Sequence, residues 1–201
     1  IQPTLLNPDI PFDTGQKWYI EKIKGRQFRV ASPSFFQVNT LQAEEMIDLV
    51  GDCLQLSGRE TLVDAYAGVG TFASLLAHRS KRVIAIEESA AAVEDARIGT
   101  ADIGNIEYIL GKSEEVLMDL NDSIDALILD PPRVGCHPDA LYAVMKSRPA
   151  KIAYVSCDPT SLARDLDILV RGGYRVEVAQ PVDMFPQTYH VECVVSLHFA
   201  G

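Results

Sequence analysis

From residue 61 onward the chain repeats one unit five times: a short apolar run, then a longer stretch with helical spacing. The apolar runs are TLVDA at 61–65, RVIAI at 82–86, NIEYIL at 105–110, DALIL at 125–129 and the strand at 152–156. The spacing predicts helices at 70–78, 89–97, 113–120, 139–146 and 162–170. Strands apolar on both faces and separated by helices must be buried on both sides, which a parallel sheet between two helical layers achieves. The tail breaks the pattern. Residues 174–182 and 191–199 read as strands joined only by a loop, so they should pair antiparallel. The fold class is therefore α/β: a doubly wound, mostly parallel, seven-stranded Rossmann-like sheet with an antiparallel terminal strand.

Ahead of the repeat, WYIEKIKGRQFRVAS alternates in two short runs broken at Lys24-Gly25, a hairpin signal. Residues 40–54 carry Leu41, Met46, Ile47, Val50, Cys53 and Leu54 at helical spacing. Residues 1–36 are read as an N-terminal extension left from a preceding domain, and 37–201 as the main domain. With 47% hydrophobic residues over 201 positions there is material for one packed core. Eighteen basic against 28 acidic residues leave a net charge of −10, which argues against a basic nucleic-acid clamp on this piece. Four cysteines with no CxxC pair suit neither a disulfide scaffold nor a zinc site, so no metal is expected and a reducing, cytoplasmic setting fits. No apolar run is long enough to span a bilayer.

Candidate chemistry collects at the strand ends. DAYAGVG, residues 64–70, opens a helix after the first strand of the repeat, and Gly68 and Gly70 let backbone pass close to a ligand. Ala73 stands where a dinucleotide fingerprint has its third glycine. Asp64 at the loop rim would repel a pyrophosphate but suit a cationic ligand such as S-adenosylmethionine. Glu87, 23 residues further on, can accept both hydroxyls of a ribose or merely begin a helix with a favourable charge. No P-loop lysine is present. In LDPPR, Asp130 points into the crevice or caps a turn, and Arg133 can hold a phosphate or pair with Asp130.

YVSCDP places Cys157 at the tip of the fifth strand, on the same rim. The following helix start would lower its thiol pKa, and Asp158 would oppose that. Cys136 is a lesser candidate, and Cys53 and Cys193 read as packing. Glu192 stands among valines: it either faces solvent by alternation or serves as an acid or base. A thiol, a carboxylate and a methyl donor suggest methylation at C5 of uracil, with Cys157 attacking C6 and Glu192 removing the C5 proton.

SFFQVNTLQAE, DAYAGVGTF, VIAIEESAAAVEDA, LDPPR, YVSCDPTSLARDL and DMFPQTYHVE together resemble the catalytic domain of the RNA 5-methyluridine methyltransferases, over residues 28–201. The resemblance implies Cys157 as nucleophile and Glu192 as base. It implies Gln37, Tyr66, Gly68, Glu87 and Asp130, with Asp64, around S-adenosyl-L-methionine. Phe35 or Phe36 would pack beside a flipped uridine, with Arg133 as a further substrate contact. It further implies an RNA partner, 23S rRNA or tRNA, gripped by an N-terminal RNA-binding domain absent from these residues, and a monomer without membrane contact. Thr71 departs from the asparagine of many members. Three alternatives stand beside this reading: an exocyclic-amine methyltransferase, which leaves Cys157 without work; a non-catalytic S-adenosylmethionine-binding module; and a Rossmann oxidoreductase, disfavoured by Asp64.

Overall fold

The computed structural model describes residues 18–31, 34, 36, 37, 39–188 and 191–201. Two strands, β1 (Trp18–Ile23) and β2 (Arg26–Ala31), form the hairpin, with Trp18 opposite Ala31. Its two-residue turn, Lys24-Gly25, has both φ angles positive (47° and 80°), the conformation that matches strand twist. Helix α1 (Thr40–Leu54) follows, capped by Asn39, whose side chain accepts from the Gln42 N–H. Its buried residues Ala43, Met46, Ile47, Val50 and Leu54 make one apolar stripe.

Ile23, Phe28 and Val30 of the hairpin belong to the same buried cluster as that stripe and as Leu62, Phe72 and Val83 of the main domain. Ion pairs reinforce the attachment: Lys24 with Asp48 at 2.7 Å, Arg29 with buried Asp95 at 3.1 Å, and Arg26 with Asp102. Among the described residues the hairpin and the segment from residue 37 onward therefore share one buried cluster across residues 36 and 37.

The main sheet contains β3 (Thr61–Ala65), β4 (Arg82–Glu87), β5 (Ile106–Leu110), β6 (Ala126–Leu129), β7 (Lys151–Ser156), β8 (Tyr174–Val182) and β9 (Glu192–Phe199). Helices α2 (Thr71–Leu76), α3 (Ala90–Gly99), α4 (Ser113–Asp119), α5 (Pro138–Ser147) and α6 (Pro159–Arg171) connect the parallel strands, and α2 ends in a short 3-10 turn. The spatial order is β5-β4-β3-β6-β7-β9-β8. The five strands of the repeat pair parallel, while β9 runs antiparallel between β7 and β8. The chain winds away from β3 in both directions, so the strand order reverses between β3 and β6. Open α/β sheets bind ligands beyond the carboxyl ends at such a reversal. Among the described residues no helix is long and apolar enough to cross a membrane.

Candidate active site

A cleft of about 990 Å³ opens over those carboxyl ends. Phe36, Gln37, Tyr66, Gly68, Glu87, Asp130, Arg133, Cys157 and Glu192 all line it, and Met46 and Ile47 of α1 wall one side. The volume falls within the range of small-molecule sites. Among the ionisable residues of its lining, carboxylates outnumber cations, which favours a positively charged ligand.

The loop after β3 sets one half of the cleft. Tyr66, Gly68 and Gly70 all have positive φ (67°, 56° and 79°), which folds the backbone back on itself before α2. Gly70 is required there, since an added Cβ would lie 2.4 Å from the Tyr108 hydroxyl. Glu87 holds the loop: its two oxygens accept from the Gly68 N–H at 2.9 Å and the Ser89 N–H at 2.8 Å. Each oxygen keeps a second lone pair for a hydroxyl in the cleft. One polar atom nearby, Gln37 Oε1, is buried without a hydrogen-bond partner among the described residues. Such atoms are costly unless a ligand satisfies them.

Asp64 is not at the rim. It is fully buried behind the loop, with Oδ2 accepting from the Ala73 N–H at 2.9 Å and Oδ1 without a partner among the described residues. Its strand position points the carboxylate under the start of α2. Burial first, and then Glu87, push its pKa up to about 7, against the Ala73 hydrogen bond. Asp130, immediately after β6, does line the cleft, and burial with the nearby charges of Glu192 and Asp64 raises it to about 8.

The other half is built by strand register. The β7–β9 ladder ends on the pair Ser156 and Cys193, so the next residue on each side is Cys157 and Glu192; both line the cleft, and the Glu192 charge acts on the Cys157 thiol. Glu192 is buried at the strand start, on the cleft side, and does not take the solvent face that alternation allowed. Its pKa is raised by burial, against the pull of Arg133. Cys157 is half-buried in the cleft wall.

Its thiol pKa is raised rather than lowered, by burial and by Glu192; the hydrogen bond and charge of Arg133 oppose the shift. The helix start gives no relief for a local reason. Asp158 caps α6, and its Oδ1 accepts from the Thr160 N–H at 3.0 Å and the Ser161 N–H at 2.8 Å. The carboxylate takes up the backbone donors that would have stabilised a thiolate.

Phe36 packs on Phe28 with ring centroids 5.7 Å apart and forms part of the cleft wall. Phe35 lies outside the described residues. Cys136 is buried, its thiol pushed up to about 12, first by burial. Cys53 and Cys193 pack against the two cores. No cluster of His, Cys, Asp or Glu among the described residues could hold a metal ion.

The sequence reading overlooked Asp165 and Tyr154, which meet beneath the loop carrying Arg133. A signal was there. Leu162, Asp165 and Leu169 share one helical face, so an acid sits in an apolar stripe.

The model of the tRNA (uracil-5-)-methyltransferases matches residues 16–199 of the chain. The chain belongs to this family. An RNA methyltransferase of Gloeobacter violaceus, uncharacterized in function, is 41% identical over 196 residues, 96% of this chain and 42% of its own length. One from Synechocystis is 44% identical over 180 residues, covering 88% of this chain and 39% of itself. The chain thus spans about two fifths of the curated relatives it matches. Among solved structures, the tRNA (uracil-54, C5)-methyltransferase of Pyrococcus abyssi, in complex with S-adenosyl-L-homocysteine, superposes with a TM-score of 0.78 at 33% identity. That match covers 90% of this chain and 44% of the other. The tRNA m1G37 methyltransferase of M. jannaschii shares the fold, with a TM-score of 0.70 at 15% identity and coverage of 92% and 58%.

Proposed function

We propose that the chain is the catalytic domain of an enzyme that methylates C5 of a uridine in RNA, using S-adenosyl-L-methionine. The observation that carries this reading is the register that brings Cys157 and Glu192 to the end of one ladder, at the edge of an acid-lined cleft. The donor fits the cleft by chemistry. Glu87 offers free lone pairs to a ribose diol, Gln37 Oε1 is a buried acceptor in want of a donor, and the acidic lining suits a sulfonium and an ammonium. When bound, S-adenosylmethionine supplies an electrophilic methyl group.

The protein's own groups do the rest. C5 of uracil is a weak nucleophile. The Cys157 thiolate bonds to C6, the C5–C6 double bond opens, and its electron pair makes C5 enolate-like and able to accept the methyl carbon. Arg133 stands beside the thiol, where its charge favours the thiolate and balances the carboxylates around it. Glu192 then takes the proton from C5. The pair left behind re-forms the C5–C6 bond and expels the thiolate. The raised pKa of Glu192 suits a group that must accept a proton and later release it. Gln37, Tyr66, Gly68, Glu87 and Asp130 hold the donor, with Asp64 supporting their loop from behind. Phe35, Phe36 and Arg133 receive the extruded base. RNA selection, in tRNA or 23S rRNA, falls on this reading to parts of the full-length enzyme outside the matched segment, and the setting is the cytoplasm.

The test is RNA containing 5-fluorouracil, in which fluorine cannot leave C5 as a proton does. Incubated with donor and the full-length protein, it is expected to give a band shifted by covalent attachment, absent with Cys157→Ala. A band that persists in that variant, or none with the unmodified protein, contradicts the assignment.

A further inference from the structure

One side of the first two turns of α6, with Ser161, Leu162 and Asp165 buried, faces the loop that follows Asp130. Ser161 Oγ donates to the Arg133 carbonyl at 3.0 Å, and Arg164 Nη2 donates to the Val134 carbonyl at 2.8 Å. The Cys136 N–H donates to Asp165 Oδ2 at 2.7 Å. Asp165 also accepts from the Tyr154 hydroxyl at 2.6 Å and from Arg164 Nε at 2.8 Å. Gly135 closes the contact: at φ 81°, a Cβ there would lie 2.4 Å from Arg164 Nη2 and 2.6 Å from Asp165 Oδ2. The backbone of residues 133–136 is therefore held from one side by three hydrogen bonds, all to a helix that begins two residues after Cys157.

Asp165 is fully buried on a face it shares with Ser161, Leu162 and Leu169. Packing alone would be served as well by a third leucine. A buried carboxylate is costly unless its lone pairs are matched, and here three donors match it. What the acid accomplishes, and a leucine could not, is to fix the loop backbone. That loop carries one side chain into the reactive corner, Arg133, and the guanidinium faces the thiol.

We propose that Asp165 is a positioning residue, acting with Ser161 and Arg164 through the 133–136 backbone to hold the Arg133 guanidinium against Cys157. The proposal rests on the reading of Cys157 as the nucleophile. Its consequence is on the thiol. Burial and Glu192 raise the pKa of Cys157, and Arg133 is the nearby group that brings it down, so a loosened loop costs thiolate.

The experiment uses full-length protein without donor. The rate of Cys157 alkylation by iodoacetamide is followed against pH by peptide mass mapping, alongside formation of the fluorouracil adduct. Asp165→Asn is expected to move the alkylation profile up by about one pH unit and to slow adduct formation about ten-fold near neutrality. KM for the donor should not change. Arg133→Gln should give the same displacement, and the double variant should be no worse than Arg133→Gln alone. A profile for folded Asp165→Asn that superimposes on the unmodified protein, or effects that add, overturns the proposal. Should Asp165→Asn fail to fold, Ser161→Ala removes the hydroxyl that reaches the Arg133 carbonyl at 3.0 Å and the Asp158 carbonyl at 3.2 Å. It should shift the profile in the same direction by less, and no shift refutes the clamp. If the unmodified protein forms no adduct, the nucleophile assignment fails, while the alkylation profiles still decide the clamp.

Discussion

Gly70 shows how little freedom single positions have around the cleft. It combines a φ of 79° with a Tyr108 hydroxyl that leaves no room for a methyl group. Gly70→Ala is expected to destabilise the domain by about 2 kcal/mol or more, through backbone strain and the displaced tyrosine, measurable by urea denaturation. This glycine was readable in the sequence as one that admits close approach. What it approaches, the Tyr108 ring from β5, was not, because that neighbour is set by tertiary packing. Glu192 shows the same limit. Strict alternation along HVECVV left its side undecided, and only the pairing of β9 with β7 turned it into the cleft. Asp64 went the other way. An acid at the head of a glycine loop looks like a ligand contact, yet the last inward-facing position of β3 puts its carboxylate beneath α2.

The periodicity of 2 and 3.6 made every strand and helix of the repeat legible, with ends displaced by one to three residues where caps decide. Asp158 is such a case. It was weighed in the sequence as a charge beside Cys157, whereas its main work is to accept two N–H groups at the start of α6. Asp158→Ala should cost about 1 kcal/mol of stability by chemical denaturation. It should also make Cys157 alkylation faster at neutral pH, since the freed helix donors and the loss of a negative charge both favour thiolate. Slower alkylation in that variant would contradict the account of why the thiol stays high. The position of β9 between β7 and β8 was not legible, because the sequence showed two strands pairing with each other and nothing about which also joined the sheet.

Across the molecule, the hairpin shares one of the two apolar cores of the Rossmann-like sheet, and carboxylates concentrate at the carboxyl ends of its strands. Asp64 and Asp130 have folded pKa values of about 7 and about 8, above their ordinary 3.8. The folded state therefore binds their protons more tightly than the unfolded chain. Their stabilising contribution is full below about pH 4 and is lost as the pH rises to about 8. The ligand-free domain should show a Tm that declines over the upper part of this window, and Asp130→Asn should flatten the decline. A Tm that rises with pH in that variant and the unmodified domain alike would contradict the burial of these groups. A cationic donor should offset the loss, so its stabilising effect is expected to grow from pH 6 to pH 8.

The central claim is a division of labour, with a sulfur that bonds to C6 and a carboxylate that clears C5. Glu192→Gln, incubated with donor and unmodified substrate RNA, separates the two. Peptide mapping by mass spectrometry should find the segment containing Cys157 joined to a nucleotide that already carries the added methyl group. Free methylated RNA released at the normal rate, with no such conjugate, would contradict the account.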